Sequence, residues 1–233
     1  MEDTLGSQTV STQLQKIAEQ AANYPDMIFN NLYHRINVDL LREAYRLTRK
    51  DSSPGVDGVT AGEYGRDLEE NLQRLCNRLR DGSYVAPPVE RVWIDKENGK
   101  KRPIGKPTFE DKIVQRAVVM VLQEIYDVDF YDFSYAFRRG RRQHQAVHEV
   151  REKCMKLNIR WIVSADISGL YDNIDHEHLR KCIRQRVNDG GILRLIGKWL
   201  NAGVMEGGNI TYPEKGTPQG GLCEALHKPP YAK

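Results

Sequence analysis

Residues 160–176 read RWIVSADISGLYDNIDH. The first six residues form a short, mainly apolar run, which predicts a buried β-strand over Arg160–Ala165. Asp166 follows directly, so the strand would hold its carboxylate on a rigid element at the edge or end of a sheet. Such a carboxylate can bind Mg²⁺, a hard cation that prefers oxygen ligands. An aspartate that caps the following turn is the alternative interpretation.

Two aspartates and two histidines follow closely: Asp172, Asp175, His176 and His178. The two histidines lack the H-E-x-x-H spacing that places two imidazoles on one zinc ion. We therefore predict that these residues form turn and helix-cap structure.

Several helices are predicted from caps and apolar spacing. Thr60-x-x-Glu63 is a capping box, in which a hydroxyl and a carboxylate satisfy free N–H groups at a helix start. An apolar stripe with helical spacing follows it, from Tyr64 to Leu79. A second helix is predicted to begin near Thr108 and to turn an apolar face to the core as far as Ile125. Further helices are predicted near residues 12–23, 38–49, 143–157, 177–187 and 191–201.

Two hairpins are predicted from glycine-containing turns. Asn98-Gly99 is a strong two-residue turn signal, and it lies between strands predicted at 89–94 and 102–106. Gly207-Gly208 lies in the same way within a hairpin predicted over 204–212. Helices come first and hairpins later, so the predicted fold class is α+β.

The composition is that of a soluble globular protein. The chain has 233 residues, with 39% hydrophobic and 29% charged, and a formal net charge of +3. It contains no apolar run of the roughly 18 residues that a membrane helix needs, and its first residues do not resemble a signal peptide. We therefore expect a cytoplasmic protein that does not enter membranes. The four cysteines are widely spaced and are predicted to be free thiols.

The small net charge conceals a large local contrast. Residues 110–133 carry six acids and two bases, whereas residues 134–160 carry eight bases and two acids. The basic stretch begins with FRRGRRQHQ at 137–145, where arginines surround a glycine beside an aromatic residue. This pattern favours phosphate contacts made from a turn, and a solvated helix face is the alternative.

The motifs together resemble the reverse transcriptases encoded by group II introns, and the likeness extends over most of the chain. SPGVDGVT at 53–60 resembles the segment that precedes the family's polymerase motifs. Four motifs then follow in the family's order: KKRPIGKPTFEDKIVQRAV (100–118), FSYAFRRGRRQHQAVHEV (133–150), WIVSADISGLYDNIDHEHL (161–179) and GTPQGG (216–221).

The resemblance implies a right-hand polymerase fold with fingers and an incomplete palm. It implies a helical N-terminal extension and the start of the fingers over residues 1–84, and a reverse transcriptase domain over residues 85–233. The implied activity is RNA-directed DNA synthesis, in which a nucleotide is transferred to a primer 3′-hydroxyl. The implied partners are an intron RNA template, a DNA primer and deoxynucleotide triphosphates.

The resemblance also implies roles for individual residues. Asp166 would be the catalytic aspartate and, with the backbone carbonyl of Ile167, a ligand of the two Mg²⁺ ions that stabilise the attacking and leaving oxygens. Four residues would form the site of the incoming nucleotide. Lys96 and Arg102 would bind its triphosphate, Tyr171 would lie under its sugar, and Gln219 would lie beside the nucleotide. The arginines of the basic turn would bind nucleic acid: Arg138, Arg139, Arg141 and Arg142.

The sequence departs from the family after Gly221. It continues as LCEALHKPPYAK, and no Asp-Asp pair occurs anywhere in the chain, whereas the family has a Tyr-x-Asp-Asp segment. A frameshifted or truncated gene copy and an incomplete fragment both fit this departure, and in either case we expect the chain to be inactive alone. The alternatives are a non-catalytic, maturase-like RNA-binding module, and a retron-type or diversity-generating reverse transcriptase.

Overall fold

The computed structural model describes residues 2–95, 99 and 101–217. Short 3₁₀ turns lie at Tyr33–Arg35, Asp127–Asp129 and Tyr171–Asn173. The helices of the described residues are α1 (Glu2–Asn23), α2 (Val38–Leu47), α3 (Ala61–Arg66), α4 (Leu68–Arg80), α5 (Phe109–Tyr126), α6 (Gln143–Lys156), α7 (His176–Arg184) and α8 (Gly190–Leu200). The strands are β1 (Val89–Asp95), β2 (Lys101–Lys106), β3 (Val204–Glu206) and β4 (Asn209–Thr211).

The four strands form one mixed sheet in the order β2-β1-β3-β4. Both predicted hairpins are confirmed, because β1 pairs antiparallel with β2 and β3 pairs antiparallel with β4. The two hairpins are joined by a parallel pairing in which Val89 lies opposite Val204. The residues of the first turn at 96–98 and 100 lie outside the described part of the chain.

Both helix starts predicted from capping residues are confirmed at atomic detail, whereas the helix predicted near 12–23 begins earlier, at Glu2. Thr60 and Glu63 form the capping box, with the Thr60 N–H donating to Glu63 Oε2 at 2.8 Å. Thr108 caps α5 by accepting a hydrogen bond from the N–H of Asp111. The stripe behind Thr60 is not one helix, however, because the backbone leaves helical geometry at Asp67 and separates α3 from α4.

The core is built around α5, whose apolar residues are almost all inaccessible to solvent. Helices α1, α2, α4 and α8 pack into the same cluster as α5. Residues on both sides of position 84 contribute to this core, including Leu75, Tyr84, Ala86 and Ile192. The division of the chain at residue 84 stays a prediction.

The prediction of a buried strand over Arg160–Ala165 is wrong. The segment is irregular, and the side chains of Trp161 and Val163 are 89% and 91% exposed. An apolar run forms a strand only if a neighbouring strand satisfies its backbone hydrogen bonds. Within the described residues the sheet consists of β1–β4, and residues 160–165 pair with none of these strands. Asp166 is therefore held by a loop.

Two smaller sequence expectations can be compared with the structure. Cys76, Cys154 and Cys182 are free thiols, as predicted, and Cys223 lies outside the described residues. No helix in the described ranges is long and apolar enough to cross a membrane.

A buried carboxylate joins three distant parts of the chain. Asp111 Oδ1 accepts hydrogen bonds from the Tyr84 hydroxyl and from Trp199 Nε1, the latter at 2.8 Å. Asp111 Oδ2 accepts a third from Gln115 Nε2 at 2.7 Å. Burial raises the pKa of Asp111 from 3.8 to about 6, although these three donors act in the opposite direction.

Two other buried charges fix the connections around the core. Arg186, 5% exposed, donates to carbonyls of residues 21–27 and forms an ion pair with Asp129 at 2.9 Å. Asp189 caps α8 through the N–H groups of Gly191 and Ile192 and also accepts from the N–H groups of Leu32 and Tyr33. The segment before α2 is thereby held against the start of α8.

We predict that replacing Asp111 by Asn changes how stability depends on pH. The folded-state pKa of about 6 lies above the ordinary value of 3.8, so the stabilising contribution of the protonated form is present below about pH 4 and is lost as the pH rises through 6. The loss is about 3 kcal/mol at roughly 1.4 kcal/mol per pKa unit.

Urea unfolding between pH 4 and pH 7 measures this effect. The free energy of unfolding of the wild type should fall by that amount relative to Asp111→Asn, whose amide does not titrate. Parallel pH profiles for the two proteins would contradict the assignment.

Candidate functional site

The loop that follows Asp166 packs directly against the start of the glycine-rich loop. The N–H of Thr217 donates to the carbonyl of Tyr171 at 2.8 Å, and the N–H of Gly216 donates to the carbonyl of Ile174 at 2.8 Å. Asp175 and Lys215 form an isolated antiparallel bridge beside them. The structure therefore places residues 171–175 next to residues 215–217.

Gly216 and His176 allow the two segments of this junction to lie in close contact. Gly216 has a φ of 82°, and a Cβ on it would lie 2.7 Å from the carbonyl oxygen of Asp172. The buried His176 lies with Nε2 2.7 Å from the Gly216 carbonyl oxygen. Since a carbonyl only accepts hydrogen bonds, Nε2 carries the proton. Asp175 caps α7 by accepting from the N–H of His178, which confirms the predicted cap.

A cleft of about 360 Å³ lies between this junction and the sheet. Arg91 and Trp93 of β1 and Ile104 of β2 line one side, and Asp172 and Thr217 line the other. Thr217 Oγ1 is buried and has no hydrogen-bond partner among the described residues. The cleft therefore brings an aromatic ring and a cation of β1 opposite the loop that contains Thr217.

Glu206 positions the sheet side of the cleft. Trp93 Nε1 donates to Glu206 Oε1 at 2.7 Å, and Arg91 Nη1 lies 3.5 Å from Glu206 Oε2. Sequence reasoning did not single out Arg91, Trp93 or Thr217. The signal that could have found the first two is their alternation along β1, which places them on one face of the sheet.

The predicted catalytic and nucleotide-binding residues are only partly brought together. Asp166 and Ile167 lie on the exposed loop, and the Ile167 side chain is 69% exposed. Tyr171 is half-buried at the junction, and Arg102 is exposed on β2 opposite Ile94. The two remaining predictions, Lys96 and Gln219, lie outside the described residues.

The described residues do not by themselves make a Mg²⁺ site. They contain no group of three or more His, Cys, Asp or Glu residues that could hold a metal ion. Mg²⁺ requires near-octahedral oxygen coordination. The Asp166 carboxylate and the Ile167 carbonyl are oxygen donors of the right chemistry, but they are too few to hold two ions.

The arginines of the basic turn are largely paired with the acidic stretch that precedes them. The Arg138 side chain is 10% exposed, lies 3.2 Å from Asp127 Oδ1 and donates to the carbonyls of Asp127 and Tyr131. Arg139 forms an ion pair with Glu124 at 3.0 Å, and Arg141 one with Asp132 at 3.4 Å. The adjacent negative and positive stretches therefore neutralise each other in part.

Arg142 lies at the exposed start of α6. Its main-chain N–H donates to Gln145 Oε1 at 2.7 Å, and its side chain is open to solvent. The Arg139 side chain is 63% exposed, although it is paired with Glu124. Of the predicted nucleic-acid-binding set, Arg139 and Arg142 are thus the most accessible, whereas Arg138 serves the fold.

The sequence was compared with models of known protein families. Residues 94–223 match the family described as "Reverse transcriptase (RNA-dependent DNA polymerase)". Because this match extends over more than half of the sequence, the chain belongs to the reverse transcriptase family. The matched range includes β2, α5, Asp166 and the junction at Gly216.

Its relatives connect the chain with group II introns. "Protein YkfC" of Escherichia coli (strain K12) is 35% identical over 224 residues, which is 93% of this chain and 59% of that protein. "Group II intron-encoded protein LtrA" of Lactococcus lactis subsp. cremoris is 34% identical over 215 residues, 91% of this chain and 36% of LtrA.

A yeast intron protein shows the same relationship. "Putative COX1/OXI3 intron 1 protein" of Saccharomyces cerevisiae is 32% identical over 219 residues, 92% of this chain and 26% of that protein. The resemblance to group II intron-encoded reverse transcriptases is confirmed. The chain spans less than two thirds of the length of each of these three relatives.

We predict that Gly216→Ala destabilises the protein more than Gly208→Ala. Both glycines have positive φ, 82° and 85°, so each alanine costs about 1–2 kcal/mol in backbone strain. A Cβ at Gly208 would meet no atom within 4 Å, whereas one at Gly216 would press on the Asp172 backbone. Urea unfolding should give a loss for Gly216→Ala that exceeds the other by about 1 kcal/mol or more. Equal losses would mean that the junction is loose.

Proposed function

We propose that the chain carries part of an RNA-directed DNA polymerase of the group II intron type. Its substrates would be an intron RNA template, a DNA primer and deoxynucleotide triphosphates. The observation that carries the proposal is the packing of residues 171–175 against residues 215–217, beside the β1–β2 hairpin. Three motifs that are separate in the sequence thereby meet at one cleft, within a chain of the reverse transcriptase family.

The β1–β2 hairpin is the proposed fingers element, and the region from Asp166 to Thr217 is the proposed partial palm. Residues 1–84 would form the N-terminal extension and the start of the fingers, and residues 85–233 the reverse transcriptase domain. The hydrogen bond from Thr217 to the Tyr171 carbonyl supports this arrangement, because it holds Tyr171 close to the loop that leads to Gln219.

The proposed nucleotide contacts follow from this placement. Arg102, together with Lys96, would bind the triphosphate by charge-assisted hydrogen bonds. Arg102 lies opposite Ile94 near the tip of the hairpin, which is where a flexible cation can reach a bound nucleotide. Tyr171 would lie against the sugar and select deoxynucleotides by excluding a 2′-hydroxyl, with Gln219 nearby.

The proposed cofactor is Mg²⁺, with Asp166 and the Ile167 carbonyl as two of its ligands. Bound Mg²⁺ supplies charge stabilisation for the attacking and leaving oxygens. Additional oxygen ligands are required, since the described residues offer no cluster of them.

A second candidate is a non-catalytic RNA-binding module. It is favoured by the exposure of Arg139 and Arg142, whose availability does not depend on Asp166. Such a module would bind RNA without nucleotide addition. Primer extension by this chain would rule this second candidate out.

We predict salt-dependent binding to an RNA template annealed to a DNA primer. The affinity should fall as salt rises, with a logarithmic slope of about −0.7 for each phosphate contact on single strands. Arg139→Ala with Arg142→Ala should reduce the magnitude of that slope by about 1.4. Arg138 is left intact, because it bonds the backbone of the preceding turn.

Fluorescence anisotropy across a potassium chloride series measures both quantities. Arg46→Ala with Arg49→Ala is the control, because it removes the same charge from exposed arginines that lie outside the basic turn at 137–145. Absence of binding at low salt, or binding without salt dependence, would refute the proposal that this chain acts on nucleic acid.

We also predict that the 233-residue chain alone does not extend a primer. One carboxylate, Asp166, is a poor basis for fixing two divalent ions about 3.5–4 Å apart. The assay uses an RNA template, a labelled DNA primer, Mg²⁺ and deoxynucleotides, with Asp166→Asn run in parallel. DNA synthesis that disappears in Asp166→Asn would show this expectation to be wrong and would establish that these residues suffice.

A further inference from the structure

A basic groove lies between α7 and α8, away from the residues that the motifs identify. It encloses about 880 Å³ and is lined by Arg180 and Arg184 of α7 and by Arg194 and Lys198 of α8. None of the described residues that line it is acidic. The groove therefore concentrates four positive charges in one concave surface.

Helix geometry explains why the cations face one another. Arg180 and Arg184 are four residues apart on α7, and Arg194 and Lys198 are four residues apart on α8, so each pair lies on one helix face. Like charges at this spacing destabilise a helix. Two such pairs in one groove raise the local potential, which a bound anion would lower.

These arginines differ from most other described arginines in having no salt bridge. Within the described ranges, no carboxylate forms a salt bridge with Arg180, Arg184 or Arg194. By contrast, Lys181 on the same helix pairs with Glu177 at 3.1 Å. Lys198 is partly committed to the fold, since its Nζ donates to the carbonyls of Gly82 and Tyr84.

The rest of the lining suits a nucleic-acid strand. Gly197 and Arg180 both line the groove and lie close together across the two helices. Tyr212 and Val85 line the groove with 69% and 72% exposure. An exposed aromatic ring beside arginines can stack on a base while the guanidinium groups bind phosphates.

We propose that the α7–α8 groove binds the phosphate backbone of single-stranded RNA, with Tyr212 stacking on a base. The proposal rests on the proposed function, in that the chain must bind RNA at all. It adds a surface whose residues lie outside the basic turn at 137–145. An acidic peptide is a less suitable ligand, because it would leave the exposed Tyr212 ring without a base to stack on.

The test compares two triple variants that remove the same net charge. The groove variant carries Arg180→Ala, Arg184→Ala and Arg194→Ala. The control variant carries Arg46→Ala, Arg49→Ala and Lys181→Ala, whose cations are each paired with a carboxylate. The probe is a short fluorescein-labelled oligouridylate, followed by anisotropy across a potassium chloride series.

The groove variant should bind roughly 30-fold more weakly than the wild type at low salt, with a salt slope smaller in magnitude by about 2. The control variant should stay within about twofold of the wild type, because surface ion pairs contribute little. The matching triple Arg→Lys variant should retain most of the salt slope, since it keeps the charges. If circular dichroism shows that the groove variant is misfolded, Tyr212→Ala replaces it. The RNA affinity of Tyr212→Ala should be lower than that of the wild type by roughly fivefold or more.

The outcomes separate the two proposals. A groove variant, or Tyr212→Ala in its place, that binds like the wild type would overturn the inference and leave the proposed function standing. Equal losses in the groove and control variants would also overturn it, because general charge would then explain binding. A wild type that does not bind RNA at low salt would refute both. Stronger competition by a polyglutamate peptide than by unlabelled oligouridylate would likewise overturn it.

Discussion

The Asp111 carboxylate determines how the sheet sits on the helical core. Tyr84 lies shortly before β1 and Trp199 lies shortly before β3, and both donate hydrogen bonds to this one buried group on α5. The two strands therefore start from fixed points, and Val89 pairs with Val204. Loss of any partner would leave a buried polar group without its hydrogen bond, which costs about 1–3 kcal/mol. The sheet side of the cleft depends on this arrangement.

Electrostatic pairing decides which basic residues remain available at the surface. The acidic stretch before the basic turn supplies Glu124, Asp127 and Asp132, which pair with three of the arginines that follow. A count of charge along the sequence therefore overstates the charge that the turn presents. The α7–α8 groove shows the reverse, because the packing of two short helices brings its arginines onto one concave surface.

Local signals predicted the elements of this fold well. The capping residues Thr60 and Thr108 and the antiparallel pairing within both hairpins depend on residues a short way along the chain, and all were found where expected. Interactions between distant residues were not predictable in the same way. The parallel pairing of β1 with β3 depends on tertiary packing, and the apolar run at 160–165 carries no information about whether a partner strand is present.

The candidate site likewise has features that the sequence predicted and features that depend on tertiary packing. The residue types and their order indicated the family, which the comparison of residues 94–223 confirms. The contact between Tyr171 and Thr217, however, depends on a left-handed Gly216 and on the His176 ring, neither of which a linear motif specifies. The unpaired Thr217 hydroxyl was likewise visible only once burial was known.

The parallel pairing of β1 with β3 has a consequence for the order of folding. The β1–β2 hairpin closes a short loop and can form within microseconds, whereas β1 meets β3 only after α5 to α8 have been brought into place. During synthesis, the pairing of β1 with β3 can therefore form only after the ribosome has synthesised the residues of β3, which begins at Val204. Contacts of such long sequence separation slow folding, so the β1–β3 pairing should be the last part of the sheet to become protected from hydrogen exchange.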